Sequence, residues 1–448
     1  MKKIRTVLSL ILTITVLSTG IICARASERK SIISAYTDEF CKKTKCSSVS
    51  VAVVLGDETE FYGNTDGLYQ IGSMTKAFTG LGIQKLISDE VIGEDDHISE
   101  WLPGFTAIYA GETCDITIRQ LLTQTSGYTN NETDYPSATE EMSLMEWTHS
   151  ISGRELANRP GTEYAYSNVN YNLLGAVIEQ ASGRSYKEYM ETEILLPLGL
   201  TETFVSVSDE CDSVIHGSRL GYFGSFEYDI PVATGRIPAG YFYSDAKDMA
   251  RWMQIWMGTA DIPQEYKDLV SSVKKVLVNE GDYYSGWELF ENETIGHSGG
   301  TPNYSSRIVF DDKKQTGVCV LTNLNVAAST DGLCNGIYSI DAGEEPKAIP
   351  TDVWTVFDII FTAVTVMGML FIAMSVRVKR RGALIGSGCF LILLLISVCI
   401  VMPLVFGAGL GNIIFTWAPY SFAGGMLMLM AGILATAIKL WIMKKNEN

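Results

Sequence analysis

Ser73 and Lys76 stand three residues apart in the stretch Ile-Gly-Ser-Met-Thr-Lys at residues 71–76. On a helix this spacing puts both side chains on one face, about one turn apart. A serine hydroxyl is a poor nucleophile until a base takes its proton, and a neighbouring lysine with a depressed pKa can be that base. Two further stretches offer complementary chemistry. Tyr166-Ser167-Asn168 supplies a phenol that can pass protons and an amide that can pair with a substrate amide. His297-Ser298-Gly299-Gly300 supplies a ring that adds polarity or charge, then glycines that let backbone lie close to a substrate. A backbone N–H there, best assigned to Gly300, could join the Ser73 N–H as an oxyanion hole. Alone, each pattern is commonplace: a chance pair, a turn with a half-buried tyrosine, a structural histidine.

These residues need elements to hold them. Residues 31–43 read as a helix and the Val-rich run 48–55 as a buried strand, with a turn at Gly56-Asp57 and a return strand at 60–63. A helix opening at Ser73 continues through residue 88, with apolar positions Phe78, Leu81, Ile83, Leu86 and Ile87. The middle of the chain reads as mostly helical, over residues 116–125, 142–152, 171–182 and 186–194, and residues 204–240 as loop. A helix over 244–257, capped by Ser244, precedes strands at 283–289, 293–297, 304–311 and 316–321 and a closing helix at 327–340. This order predicts an α/β fold: an antiparallel sheet flanked by helices, interrupted by an all-α insertion, with the site between them.

The ends of the chain are apolar. Residues 1–26 combine a basic start (Lys2, Lys3, Arg5), an apolar run and an A-x-A site at Ala24-Arg25-Ala26, as in a signal peptide cut before Ser27. Three apolar runs at 353–376, 383–406 and 415–443 are each long enough to cross a hydrocarbon core of ~30 Å. Arg377, Lys379, Arg380 and Arg381 lie between the first two, no charge lies between the second and third, and Lys444 and Lys445 follow the last. Positive-inside counting therefore puts residues 27–351 outside the cell, the side a signal peptide also implies. Trp354, Trp417 and Tyr420 fall near the outer interface and Trp441 near the inner one. The expected plan is a signal at 1–26, a hydrolase domain at 27–345, a linker at 346–352 containing Pro346 and Pro350, and a membrane domain at 353–448. Asp358, about two turns into the first run, is either a functional intramembrane acid or a polar contact between helices.

Residues 27–351 carry 23 basic and 48 acidic side chains, a net of −25. That excess argues against nucleic acid and against docking on anionic lipid. Of nine cysteines, six (Cys41, Cys46, Cys114, Cys211, Cys319, Cys334) fall in the exported part, where disulfides are permitted. The four histidines lack metal-ligand spacing, so neither metal nor cofactor is expected.

Taken together, the order and setting of the three motifs resemble those of class C β-lactamases and D-alanyl-D-alanine peptidase-type serine hydrolases, which share the penicillin-binding-protein fold. Residues 71–86, 116–127 (ITIRQLLTQTSG), 160–203 and 238–253 (PAGYFYSDAKDMARWM) resemble blocks of that family, and the likeness spans about residues 30–340. It implies acyl-enzyme chemistry, with Ser73 attacking a carbonyl and Lys76 and Tyr166 sharing the base and acid roles. Asn168 would contact the substrate amide, and His297, Ser298, Gly299 and Gly300 would line the substrate and oxyanion side. His297 stands where many relatives have lysine, which points to a peptidase or esterase and to slow or absent deacylation of penicillins. Gln124 stands where relatives often have His, a difference expected to alter packing only. The whole plan resembles membrane-bound peptidases that remove an N-acyl-D-asparagine cap from natural products. The expected function is a membrane-anchored serine peptidase or amidase acting on a small peptide or acylated D-amino-acid substrate, a prodrug cap or a wall peptide. The alternatives are an esterase, a weak β-lactamase, or a penicillin-sensing module that stays acylated. The last would favour a long cytoplasmic domain, whereas residues 444–448 alone follow the third run.

Overall fold

Side chains alternate along a strand, so one segment can serve two cores. In the computed structural model, strand β1 (Val49–Leu55) sends Ala52 and Val54 into one apolar cluster and Val49, Val51 and Val53 into another. The structure describes residues 27–129, 142–208, 211–232 and 234–446; the signal peptide expected over 1–26 lies outside them.

The strands are β1, β2 (Glu58–Gly63), β3 (Tyr69–Gln70), β4 (Ala107–Tyr109), β5 (Glu112–Cys114), β6 (Ser218–Gly221), β7 (Gly224–Glu227), β8 (Tyr243–Ser244), β9 (Tyr283–Tyr284), β10 (Trp287–Leu289), β11 (Ile295–Gly300), β12 (Ser305–Asp311) and β13 (Thr316–Thr322). Seven form one antiparallel sheet in the order β2-β1-β13-β12-β11-β10-β9. The β1–β13 pairing, Val49 opposite Thr322, joins the two ends of the domain. Among the described residues, three two-stranded ladders lie outside it: β3 with β8, β4 with β5, and β6 with β7.

The helices are α1 (residues 27–44), α2 (Thr75–Ser88), α3 (Ile98–Trp101), α4 (Ile118–Leu122), α5 (Leu144–Ile151), α6 (Asn168–Ser182), α7 (Tyr186–Tyr189), α8 (Leu196–Leu198), α9 (Ile237–Gly240), α10 (Ala246–Met257), α11 (Gln264–Glu280), α12 (Ala327–Asp341), α13 (Val353–Arg377), α14 (Arg381–Phe406), α15 (Leu410–Asn412) and α16 (Tyr420–Lys445). The buried apolar residues of α2, α6 and α10 pack with Ala52 and Val54 in the first cluster. Ile33, Phe40, Leu333 and Ile337, from α1 and α12, cover the opposite sheet face in the second. The expected α/β fold with its helical middle is what forms.

Several local expectations change. Ser73 does not open the α-helix: it lies in a 3₁₀ turn, Gly72–Met74, and α2 starts at Thr75. Asp245, not Ser244, caps α10, accepting from the Asp248 N–H. The strand expected over 283–289 is two strands, because a turn at Ser285-Gly286 folds Trp287 back onto Tyr284. Helix α11 was not anticipated, although Tyr266, Leu269, Val270, Val273 and Leu277 recur at helical spacing and are buried. All eight described cysteines are free thiols.

Helices α13, α14 and α16 are each long and apolar enough to cross a membrane. The third starts at Tyr420 rather than near residue 415, because Ala418 is extended before Pro419. At Gly368 an added Cβ would lie 2.7 Å from the Met428 Cβ, so glycine lets α13 and α16 approach closely. Trp354, Phe361 and Phe422 belong to the same apolar cluster as Val49, Val51 and Val53. The ends of these apolar helices nearest the sheet and one face of the sheet therefore share a core.

Candidate active site

Gly72 fixes the turn that carries Ser73. Its φ of +52° favours glycine, and an added Cβ would lie 2.4 Å from the Gly300 nitrogen. The backbone entering Ser73 therefore lies against the end of β11. Gly299 is equally close to the other side, since a Cβ there would sit 2.1 Å from the Ile71 carbonyl oxygen. Ser306 Oγ donates to that same oxygen at 2.8 Å.

Lys76 is fully buried in the first turn of α2. Its Nζ lies 3.0 Å from Ser73 Oγ, 2.6 Å from Asn168 Oδ1 and 2.6 Å from the Ala239 carbonyl oxygen. Burial of an ammonium is costly unless its N–H groups are paired, and here all three directions are taken. In the free-amine form, two N–H groups serve Asn168 and Ala239. The lone pair then faces the Ser73 hydroxyl, the geometry of a general base.

Tyr166 precedes α6, whose N-cap is Ser167. The Lys76 Nζ lies 4.9 Å from the centre of the Tyr166 ring. Gln124 grips the chain on both sides of this tyrosine. Its carbonyl accepts from the Ala165 N–H at 2.9 Å, and its Oε1 accepts from the Ser167 N–H at 2.9 Å and from Asn170 Nδ2 at 2.5 Å. Gln124 was expected to alter packing only. Instead it is a hydrogen-bonding support for the Tyr166-Ser167-Asn168 segment.

His297 is 2% exposed, with its ring centre 5.9 Å from that of Tyr166. Its Nδ1 lies 2.6 Å from the Ser298 carbonyl oxygen, which can only accept, so Nδ1 carries the hydrogen. Nε2 is then the acceptor, 3.4 Å from the Tyr283 hydroxyl. Burial, reinforced by the Lys76 charge, pushes the His297 pKa down to about 3. Burial raises the Tyr283 phenol well above its ordinary value, so it keeps its proton. Of the two options left by the sequence, polarity or charge, His297 supplies polarity.

Ser298 departs from expectation. Its Oγ donates to Asp331 Oδ1 at 2.9 Å and accepts from Arg307 Nη1 at 2.7 Å, on the α12 side of the sheet. Period-two alternation in β11 sends the hydroxyl away from the face that carries His297. At Gly300, opposite Ser305, an added Cβ would meet no atom within 4 Å, so the strand end is open beside Ser73.

The structure thus gathers Ser73, Lys76, Tyr166, Asn168, His297 and the Gly299-Gly300 backbone, and turns the Ser298 side chain out. The sequence reading gives no role to the Ala239 carbonyl or Tyr283, and gives Gln124 a packing role only. Nothing in their residue types announced a role; they come from remote segments. Among the described residues one group could offer three ligand atoms to a metal. His216, Glu227 and Asp229, all exposed, bring such atoms within 4.8 Å of one another. Spacing could not reveal them, because the β6–β7 hairpin brings them together.

The family model described as Beta-lactamase matches residues 33–336. Protein flp of Staphylococcus aureus (strain NCTC 8325 / PS 47) is 29% identical over 402 residues, covering 83% of this chain and 79% of the relative. Penicillin-binding protein 4* of Bacillus subtilis (strain 168) is 30% identical over 285 residues, covering 56% and 60%. Among solved structures, the octameric penicillin-binding protein homologue from Pyrococcus abyssi superposes with a TM-score of 0.59 at 21% identity, covering 75% of this chain and 81% of that one. A beta-lactamase/D-alanine carboxypeptidase from Yersinia pestis does so with a TM-score of 0.56 at 18% identity, covering 70% and 99%. At these identities the structural likeness speaks for the fold.

Proposed function

The chain belongs to the beta-lactamase family of serine hydrolases, and from that premise we propose that Ser73 is the nucleophile of an exported, membrane-anchored hydrolase that forms an acyl-enzyme on D-amino-acid-containing amides. The observation that carries this reading is the 3.0 Å contact between Lys76 Nζ and Ser73 Oγ, with the other two Lys76 directions committed to Asn168 and Ala239.

The proposed steps are those of acyl-enzyme chemistry, supported by the Lys76–Ser73 contact. Ser73 Oγ bonds to the substrate carbonyl carbon while its proton passes to Lys76 Nζ. The N–H groups of Ser73 and Gly300 face the developing oxyanion. The carbon–nitrogen bond then breaks, and the leaving nitrogen takes up a proton through Tyr166, beside Lys76. Water attacks the resulting ester, its proton going to the same pair of side chains, and Ser73 is regenerated. Asn168 holds the amide of the acyl part.

His297 narrows the substrate. A neutral, buried ring in a lysine's place, with its Nδ1–H spent on the Ser298 carbonyl, offers a substrate carboxylate neither a charge nor a donor. This supports an N-acyl-D-amino-acyl cap joined through an internal amide over a peptide ending in a free carboxylate. The three apolar helices, with positive-inside orientation, support a site on the outer side of the cytoplasmic membrane, reached by amphipathic or lipid-tailed substrates.

The test is to incubate the detergent-solubilised protein and a Ser73→Ala variant with N-acyl-D-asparaginyl amides, D-Ala-D-Ala peptides, p-nitrophenyl esters and nitrocefin, following product and intact mass. The expected outcome is a Ser73-dependent acyl adduct and turnover of the N-acyl-D-amino-acid amides. Absence of both turnover and adduct with every probe would sink the reading.

A further inference from the structure

The β6–β7 hairpin turns at Gly221-Tyr222-Phe223-Gly224, and its two central residues have φ of +51° and +67°. Such a turn favours Asn and Gly at these positions; bulky aromatic residues there are strained and persist only where surroundings enforce them. The enforcing group is Asp358 of α13. Its Oδ1 accepts from the Tyr222 N–H and its Oδ2 from the Phe223 N–H, both at 2.7 Å. Ser421 Oγ of α16 donates to Oδ1 at 2.6 Å. Asp358 is only 3% exposed, so this buried carboxylate is held by three donors from two segments, the hairpin and α16. Opposite Tyr222, a Cβ on Gly424 of α16 would lie 1.7 Å from the Tyr222 hydroxyl, so α16 has glycine where the tyrosine wedges in.

A second buried charge sits on the same hairpin. Arg219 is 5% exposed, and its guanidinium donates to the carbonyl oxygens of Ala418 (2.5 Å), Phe415 (3.1 Å) and Ile414 (2.5 Å). These carbonyls end the short helical turn before α16, where unsatisfied acceptors and the negative end of a helix favour a cation. The rings of Tyr228 and Tyr420 flank the guanidinium at 4.9 and 4.8 Å.

The other side of the hairpin touches the catalytic strand. The Ser218 N–H donates to the Asn303 carbonyl at 3.3 Å, Asn303 Nδ2 to the Tyr228 carbonyl at 2.8 Å, and the Tyr304 hydroxyl to the Ile215 carbonyl at 2.6 Å. Residues 301–304 follow Gly300 directly. Pro302 lines a hollow with Gln70 and Tyr241 on one side and another with Trp354, Trp417 and Pro419 on the other.

We propose that Asp358 and Arg219 are positioning residues: they lock the β6–β7 hairpin onto the outer ends of the membrane helices and, through Asn303, fix the strand end that carries Gly300. The membrane domain is then part of the catalytic framework as well as a tether. Asp358 acts from within the membrane helices without touching substrate. The kinetic arm rests on the reading of Ser73 as nucleophile; the structural arm does not.

Asp358→Asn places an amide, with donors of its own, against two N–H donors, and Arg219→Gln removes the fork that spans three carbonyls. Each full-length variant is reconstituted in lipid nanodiscs beside the wild type. Hydrogen–deuterium exchange is read for residues 213–229 and 298–304, and kcat and KM for a water-soluble p-nitrophenyl ester. In both variants exchange should rise at least about tenfold in both segments, while residues 49–55 of the sheet stay protected. The kcat should fall about fivefold or more, with KM within about twofold. Faster exchange confined to 213–229, or an unchanged kcat, would overturn the coupling. Unchanged exchange in both segments would overturn the lock. A wild type that forms no acyl adduct would remove the catalytic reading alone, leaving exchange to decide the lock.

Discussion

Lys76 Nζ donates to the carbonyl oxygen of Ala239 at 2.6 Å, a contact between residues 163 positions apart. The carbonyl is itself held in place: the Ala239 N–H donates to Asn172 Oδ1 at 3.2 Å, and Pro238 packs so close to α6 that a Cβ on Gly175 would lie 2.3 Å from its Cγ. A rigid backbone acceptor thus helps to aim the lysine at Ser73.

If Lys76 is the base for Ser73, Lys76→Ala should lower the acylation rate by roughly 10²–10⁴-fold. Lys76→Arg should not restore it, because a guanidinium offers no lone pair. Time-resolved intact-mass measurement of the adduct checks both. Acylation of Lys76→Ala at the wild-type rate would remove Lys76 from the mechanism.

Gln124→Ala should cost about 1–3 kcal/mol of stability, since the buried Ser167 N–H loses its acceptor. It should also lower kcat about tenfold with little change in KM, because the segment bearing Tyr166 loosens while Asn168 keeps its contact with Lys76. Thermal unfolding and steady-state kinetics on one preparation separate the two effects. A stability loss with unchanged kcat would reduce Gln124 to a structural residue.

His297 has a folded pKa of about 3, below the ordinary 6.5. The unfolded chain therefore binds more protons between these values. The stability from a neutral His297 is complete above about pH 6.5 and is lost as pH falls from there towards 3. His297→Gln should flatten this acid-side decline by a few kcal/mol, as read from denaturant unfolding across that range. The kcat profile of the wild type should show no inflection from this residue between pH 5 and 8, and His297→Lys should shift preference towards carboxylate-bearing substrates. A resonance assigned to the His297 imidazole and titrating near pH 6.5 by NMR would contradict the first two expectations.

Gly72→Ala combines a left-handed φ with a Cβ 2.4 Å from the Gly300 nitrogen, so the turn or β11 must move. A loss of acylation of at least 10²-fold is expected, in keeping with the loss of an oxyanion donor, beside a clear drop in unfolding midpoint. Wild-type acylation in Gly72→Ala would show that the turn tolerates displacement.

The fold was largely legible because its signals are local. The Val-rich run of β1, the apolar spacing of α2 and the three long apolar stretches each follow from composition, length or spacing within one segment. Helix α11 carries the same signal in the spacing of Tyr266, Leu269, Val270, Val273 and Leu277. The start of α2 was misplaced by two residues, since a 3₁₀ turn and an α-helix share the same sequence preferences there. The strand over 283–289 was split by Ser285-Gly286, where a tight turn rather than an alternation decides.

The sequence by itself determined the candidate nucleophile pair Ser73 and Lys76, the order of the motifs, the acidic character of residues 27–351 and the membrane-length helices. These depend on residue type and short spacing. Tertiary structure decided the rest: that Lys76 spends one N–H on Ala239, that Gln124 supports Tyr166, that Ser298 faces away, that His297 is neutral, and that Asp358 caps a hairpin. Each is a matter of burial or of contact between distant segments, and neither desolvation nor a hydrogen-bond partner 136 residues away, as for Asp358 and Tyr222, is written in local sequence.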